Sequence, residues 1–105
     1  MAELWTKKEL DACVRTYLWL RESEESDHTP HKKNVRSALR AGPLKDRSDG
    51  SVEYRMQNIS SVLQSRGENW VIGYKPADNV GTNTINEINA MIEKYYSSSR
   101  SSKKV

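Results

Sequence analysis

The sequence predicts an all-α protein, a compact domain of four helices with an ordered aromatic loop between the third and fourth. Three observations carry this. Four segments repeat apolar residues at spacings of three and four, the period of a helix face buried against a neighbour. Residues that start and stop helices bracket those segments. Strand-like material is confined to Trp70-Val71-Ile72-Gly73-Tyr74, which is better read as a loop laying its aromatics across the helices.

The first helix starts at a capping box. In Thr6-Lys7-Lys8-Glu9, Thr6 can accept from the N–H of Glu9, and Glu9 can reach back to the N–H of Thr6. Trp5 and Leu10 flank the box as a hydrophobic staple. Leu10, Val14, Tyr17, Leu18 and Arg21 follow at helical spacing, with Cys13 on the flank as a small buried hydrophobe. The acidic run from Glu22 to Asp27 ends the helix. Thr29-Pro30 predicts the second start, with Thr29 as N-cap and Pro30 as the first helical residue. Val35, Ala38 and Leu39 form its short apolar stripe, and Gly42-Pro43 stops it.

The third helix carries Val52, Met56, Ile59, Val62 and Leu63 on one side, with Ser51 or Asp49 as cap and Gly67 as the left-handed stop. At 100° per residue its opposite side holds Tyr54, Gln57, Ser61, Gln64 and Ser65, with Asn58 at the edge and Arg55 beside the apolar stripe. The last helix begins near Thr82 to Thr84, with Thr84-x-x-Glu87 as a second capping box, and buries Ile85, Ile88, Ile92 and Tyr95. The domain is expected to span residues 1–96. Residues 97–105, Ser-rich and basic, read as a disordered tail or linker.

Size and composition limit the function. A chain of 105 residues with 35% hydrophobic and 30% charged residues supports one domain with a small core and no deep substrate cavity. No run approaches the roughly 18 apolar residues of a membrane span, and the opening residues lack a signal-peptide core. A cytoplasmic protein without membrane contact is expected. The single cysteine excludes an internal disulfide and a Cys-rich zinc site. His28 and His31, with Asp27 nearby, have a spacing that permits metal binding, but two exposed, unliganded histidines are the better reading. There is no phosphate-cradling glycine loop, no nucleophile elbow and no zinc-protease motif, so neither an enzyme nor a cofactor is expected.

The net charge of +3 is unevenly distributed. Residues 1–29 sum to −3, residues 30–47 to +5, residues 48–96 to −2 and residues 97–105 to +3. The +5 block is an electrostatic footprint candidate, its competing reading being a solvated helix face. The three Trp and five Tyr, with no Phe, favour half-buried rings that carry a polar handle. Trp5, Trp19 and Trp70 are expected in the core. Tyr54 and Tyr74 are the surface candidates.

The run Arg47–Leu63, RSDGSVEYRMQNISSVL, the run Gly73–Gly81, GYKPADNVG, and the opening Trp5-Thr6-x-x-Glu9-Leu10 resemble a known domain. It is the N-terminal head domain that precedes HNH nuclease domains in bacterial McrA-like, modification-dependent restriction endonucleases. The resemblance covers residues 4–96. It implies a helical accessory domain beside nucleic-acid-handling domains, with any cleavage in a separate HNH domain, since this chain carries no His-Asn-His motif. By position it draws attention to Arg47, Tyr54, Arg55, Gln57, Asn58, Tyr74 and Lys75.

Two functions are weighed. In the first, the chain binds duplex DNA. Lys32, Lys33, Arg36, Arg40, Lys45 and Arg47 lie along phosphates, and Gln57, Asn58, Ser61 and Gln64 face a groove, in a helix-turn-helix-like arrangement. The connection from Gly42 to Gly50 is longer than the usual turn of that motif. In the second, the chain docks other domains of an HNH endonuclease, or itself, through its uncharged polar face and exposed tyrosines.

Overall fold

The computed structural model describes residues 5–25, 30–77 and 80–103. Among them are four helices and no strand: α1 (Lys7–Glu25), α2 (Lys32–Arg40), α3 (Asp49–Ser65) and α4 (Thr82–Lys103). None of these helices is long and apolar enough to cross a membrane. Helices α1 and α3 each touch every other helix, whereas α2 and α4 do not meet among the described residues. The core therefore lies around the α1–α3 contact. It takes Leu10, Cys13, Val14, Tyr17, Leu18 and Leu20 from α1, and Val52, Met56, Ile59, Val62 and Leu63 from α3. Ile88 and Ile92 close it from α4, and Val35 and Leu39 from α2. At roughly 1.5–3 kcal/mol per buried aliphatic side chain the two fully buried residues of α2 match those of α4, but α4 adds the partly buried Ile85, Met91, Tyr95 and Tyr96, so α2 is the least anchored helix.

The capping box forms as expected. Thr6 N–H donates to Glu9 Oε1 at 2.8 Å, and Glu9 N–H donates to Thr6 Oγ1 at 3.1 Å. Gly67 takes φ 73°, the left-handed conformation that ends α3. The other expected caps shift. Helix α2 begins at Lys32 with His31 as N-cap and no side-chain cap bond, so Pro30 lies ahead of the helix. Thr29, His28 and Asp27 lie outside the described residues. Helix α3 is capped by Ser48, which accepts from Ser51 N–H, so Asp49 is helical and adds a carboxylate to the positive end of the helix. Thr84 is inside α4, so no capping box forms there. Helix α4 also runs on to Lys103, past the end expected near residue 96, because extending an anchored helix is far easier than nucleating one.

One buried side chain joins three parts of the fold. The Tyr17 hydroxyl of α1 sits 2.6 Å from Ser60 Oγ of α3 and accepts the Val71 N–H at 2.8 Å. The Tyr17 ring lies 5.9 Å from that of Tyr74. The stretch between α3 and α4 is thus pinned with Val71 and Tyr74 buried and Trp70 against the core. Cys13 Sγ lies 3.6 Å from Met56 Sδ, fully enclosed, and burial pushes its thiol up to about 12.

Tyr17→Phe keeps the ring and leaves the Val71 N–H and Ser60 Oγ without this partner. A loss of about 1–3 kcal/mol is expected. At about 4–8 °C per kcal/mol, the midpoint of thermal unfolding followed by circular dichroism should drop by roughly 4 °C or more. An unchanged midpoint contradicts the role given to this hydroxyl.

Candidate functional site

The basic block of the sequence folds into a zipper. Lys32, Arg36 and Arg40 recur every fourth residue and form one row on α2. Asp49 and Glu53 recur at the same spacing on α3. Lys32 Nζ lies 2.9 Å from Glu53 Oε2. Arg36 spans both acids, at 3.3 Å to Asp49 and 3.6 Å to Glu53. Arg40 Nη1 lies 2.9 Å from Asp49. Lys32 also donates to the Gly73 carbonyl at 2.7 Å and lies 4.5 Å from the Tyr74 ring centre. Its stem passes so close to Gly73 that an added Cβ would stand 2.9 Å from Lys32 Cδ, which favours glycine there. Lys33, Lys45 and Lys75 are exposed and make no ion pair among the described residues.

Several expected contact residues serve the interior instead. Arg47 donates two hydrogen bonds to Glu9, at 3.0 and 2.7 Å. Its guanidinium lies 5.1 Å from the Trp5 ring, and that of Arg55 lies at the same distance. Burial lowers the pKa of Arg55, which donates to Asn58 Oδ1. Asn58 is buried and donates from Nδ2 to the Ala77 carbonyl at 2.9 Å. Gln57 accepts the Ala77 N–H through its backbone carbonyl. Tyr74 and Ser61 are buried, which corrects the expectation that they face solvent. The loop after α3 folds back over part of the side that the helical wheel leaves open, with Ala77 held by Gln57 and Asn58. Of the polar side of α3, Tyr54, Gln64 and Ser65 remain exposed.

A second correction concerns Trp19, which is 50% exposed rather than in the core. It lies about 200° from Tyr17 on the helical wheel, and that arithmetic places it outward. With Ala12, Arg15 and Thr16 of α1 it lines a shallow groove of about 660 Å³, bounded by Leu39 and Pro43 and by Tyr95. A smaller groove beside it shares Trp19 and reaches Pro30 and Ala38. Sequence reasoning also missed a polar lock near the C-terminal end of α1. There Arg21 and Arg66 converge on Glu68 and Tyr96, and Arg66 reaches Asn89 of α4 at 2.9 Å. Among the described residues, no group of three His, Cys, Asp or Glu side chains comes together to hold a metal ion. No protein-family model, no curated protein and no solved structure matches this chain.

The hydrogen bonds from Arg47 hold the Glu9 carboxyl at about 2, against an ordinary value of 4.5. A carboxyl depressed on folding adds stability above its unfolded value, and that stability disappears as the pH falls through its folded value. Denaturant titrations should therefore show wild-type stability falling between pH 4.5 and 2. In Glu9→Gln that component of the fall should be absent, with lower stability at pH 7. Equal pH slopes in the two proteins would count against this assignment.

Proposed function

We propose that the domain is an accessory DNA-contacting module that holds the phosphate backbone with α2 and the turn behind it. The cationic row of α2 supports this most directly. The helix contains no acid. Lys33 falls about 20° from Arg40 on the helical wheel, at the edge of the row, and Lys45 follows in the turn. Asp49 is 60% exposed, so its pair with Arg40 is worth under about 1 kcal/mol and can yield to a phosphate. The base-reading mode is not part of this proposal. Eight residues of α3 are buried, which leaves it no continuous face to enter a groove as a recognition helix. The resemblance to the head domain of McrA-like endonucleases supports the same setting. There the module works beside domains that recognise and cut DNA, and a separate HNH domain does the cutting.

Backbone contacts alone give binding that is independent of sequence and sensitive to salt. Lys33, Arg40 and Lys45 neutralising about three phosphates correspond to a log–log salt slope of about −3. In anisotropy titrations with a labelled duplex, Lys33→Glu combined with Lys45→Glu should weaken binding about tenfold at low salt and flatten the slope to about −1. A double variant that titrates like wild type would sink the proposal.

The exposed Trp19 favours a second reading, a protein-docking module. Tryptophan is among the residues that contribute most at protein interfaces, and here it stands over an apolar groove. On this reading the domain docks its partner through the outer side of α1.

A further inference from the structure

The outer side of α1 is self-complementary. From its N-terminal end it presents Lys8, Asp11, Ala12, Arg15 and Trp19, and all five line the same groove. Small and large residues are segregated along it, with Ala12 near the middle and Trp19 at the C-terminal end. The charges alternate one helical turn apart. Asp11 and Arg15 lie 3.4 Å from each other in a pair whose arginine side chain is 68% exposed and whose aspartate is 29% exposed. An exposed intrahelical pair of this kind contributes little, so either partner can be exchanged for one from outside.

We propose that this surface binds a second copy of the chain, with the two α1 helices antiparallel about a two-fold axis level with Cys13. The inference rests on the docking reading of Trp19 and goes further by naming the occupant. Charge complementarity selects a second copy. Reversal about that axis brings Asp11 of each copy opposite Arg15 of the other, so both intrahelical pairs become intersubunit pairs. The same operation brings each Trp19 to within one residue's rise of the other copy's Lys8, whose ammonium and stem suit an indole face, with Ala12 leaving room beside it. One patch serves both subunits, as an isologous two-fold interface requires. The core side of α1 is untouched, so the dimer forms from folded monomers. The cationic row of α2 takes no part, so DNA titration and dimerisation are independent measurements.

The test is sedimentation equilibrium of the full 105-residue chain over a concentration series, with circular dichroism confirming that each variant is folded. Wild type should show a concentration-dependent dimer. Trp19→Ala should weaken it roughly 30-fold, as expected for a tryptophan buried at an interface. Asp11→Arg alone and Arg15→Asp alone each place like charges opposite one another and should weaken it about tenfold. An equimolar mixture of those two variants places opposite charges together again and should recover dimer to within about threefold of wild type. Wild type that stays monomeric up to about 1 mM overturns the proposal. So does a dimer indifferent to Trp19→Ala, which would move the interface elsewhere and remove support for the docking reading as well. Weakened single variants whose mixture does not recover overturn the antiparallel two-fold arrangement, while leaving α1 as a docking surface for another partner.

Discussion

The Glu9 carboxylate is used twice, and much of the architecture depends on that. One bond caps α1 by holding the Thr6 N–H. Two more secure Arg47, which sits just before α3. Arg47 in turn lies against Trp5, and its carbonyl accepts from Arg40 at the end of α2. The start of α1, the end of α2 and the approach to α3 are therefore fastened at one point. A single carboxylate can do this because it offers about four acceptor sites. A neutral cap such as Gln could close the box but could not hold a guanidinium with the same strength.

From that point the fold is built outwards from α3. Its apolar stripe packs on α1, and part of its polar side, at Gln57 and Asn58, is covered by the chain that follows it. Tyr17 reaches across to Ser60 and Val71, and Asn58 holds Ala77. Buried polar groups in such positions are satisfied one by one, so the loop has one low-energy way to lie. The short α2 is held differently. With two buried side chains it leans on the zipper to Asp49 and Glu53, and those partly exposed ion pairs are sensitive to salt.

Much of this was legible in the sequence, because helix periodicity and punctuation act locally. Thr6 and Glu9, the apolar stripe of α3 and Gly67 are local patterns, and each does what its pattern implies. What stayed hidden is pairing between distant segments. Nothing within a few residues of Arg47 shows that Glu9 is its partner, or that Asn58 will meet Ala77. The basic block of residues 30–47 therefore looks more available to a ligand than it is. The runs Arg47–Leu63 and Gly73–Gly81, with the opening from Trp5, are also rich in these interior contacts: Trp5, Glu9, Arg47, Arg55, Asn58, Tyr74 and Ala77. Their spacing is what this packing requires. Trp19 is a different case, because the wheel already set it opposite Tyr17, and only the usual preference of Trp for cores argued otherwise.

Cys13 has a practical consequence. Its thiol is enclosed between α1 and α3 and is pushed far above neutral pH, so the thiolate that alkylating reagents attack is absent while the two helices stay together. Reagent gains access when that seam opens. With no other cysteine in the chain, the labelling rate is a clock for separation of the two central helices.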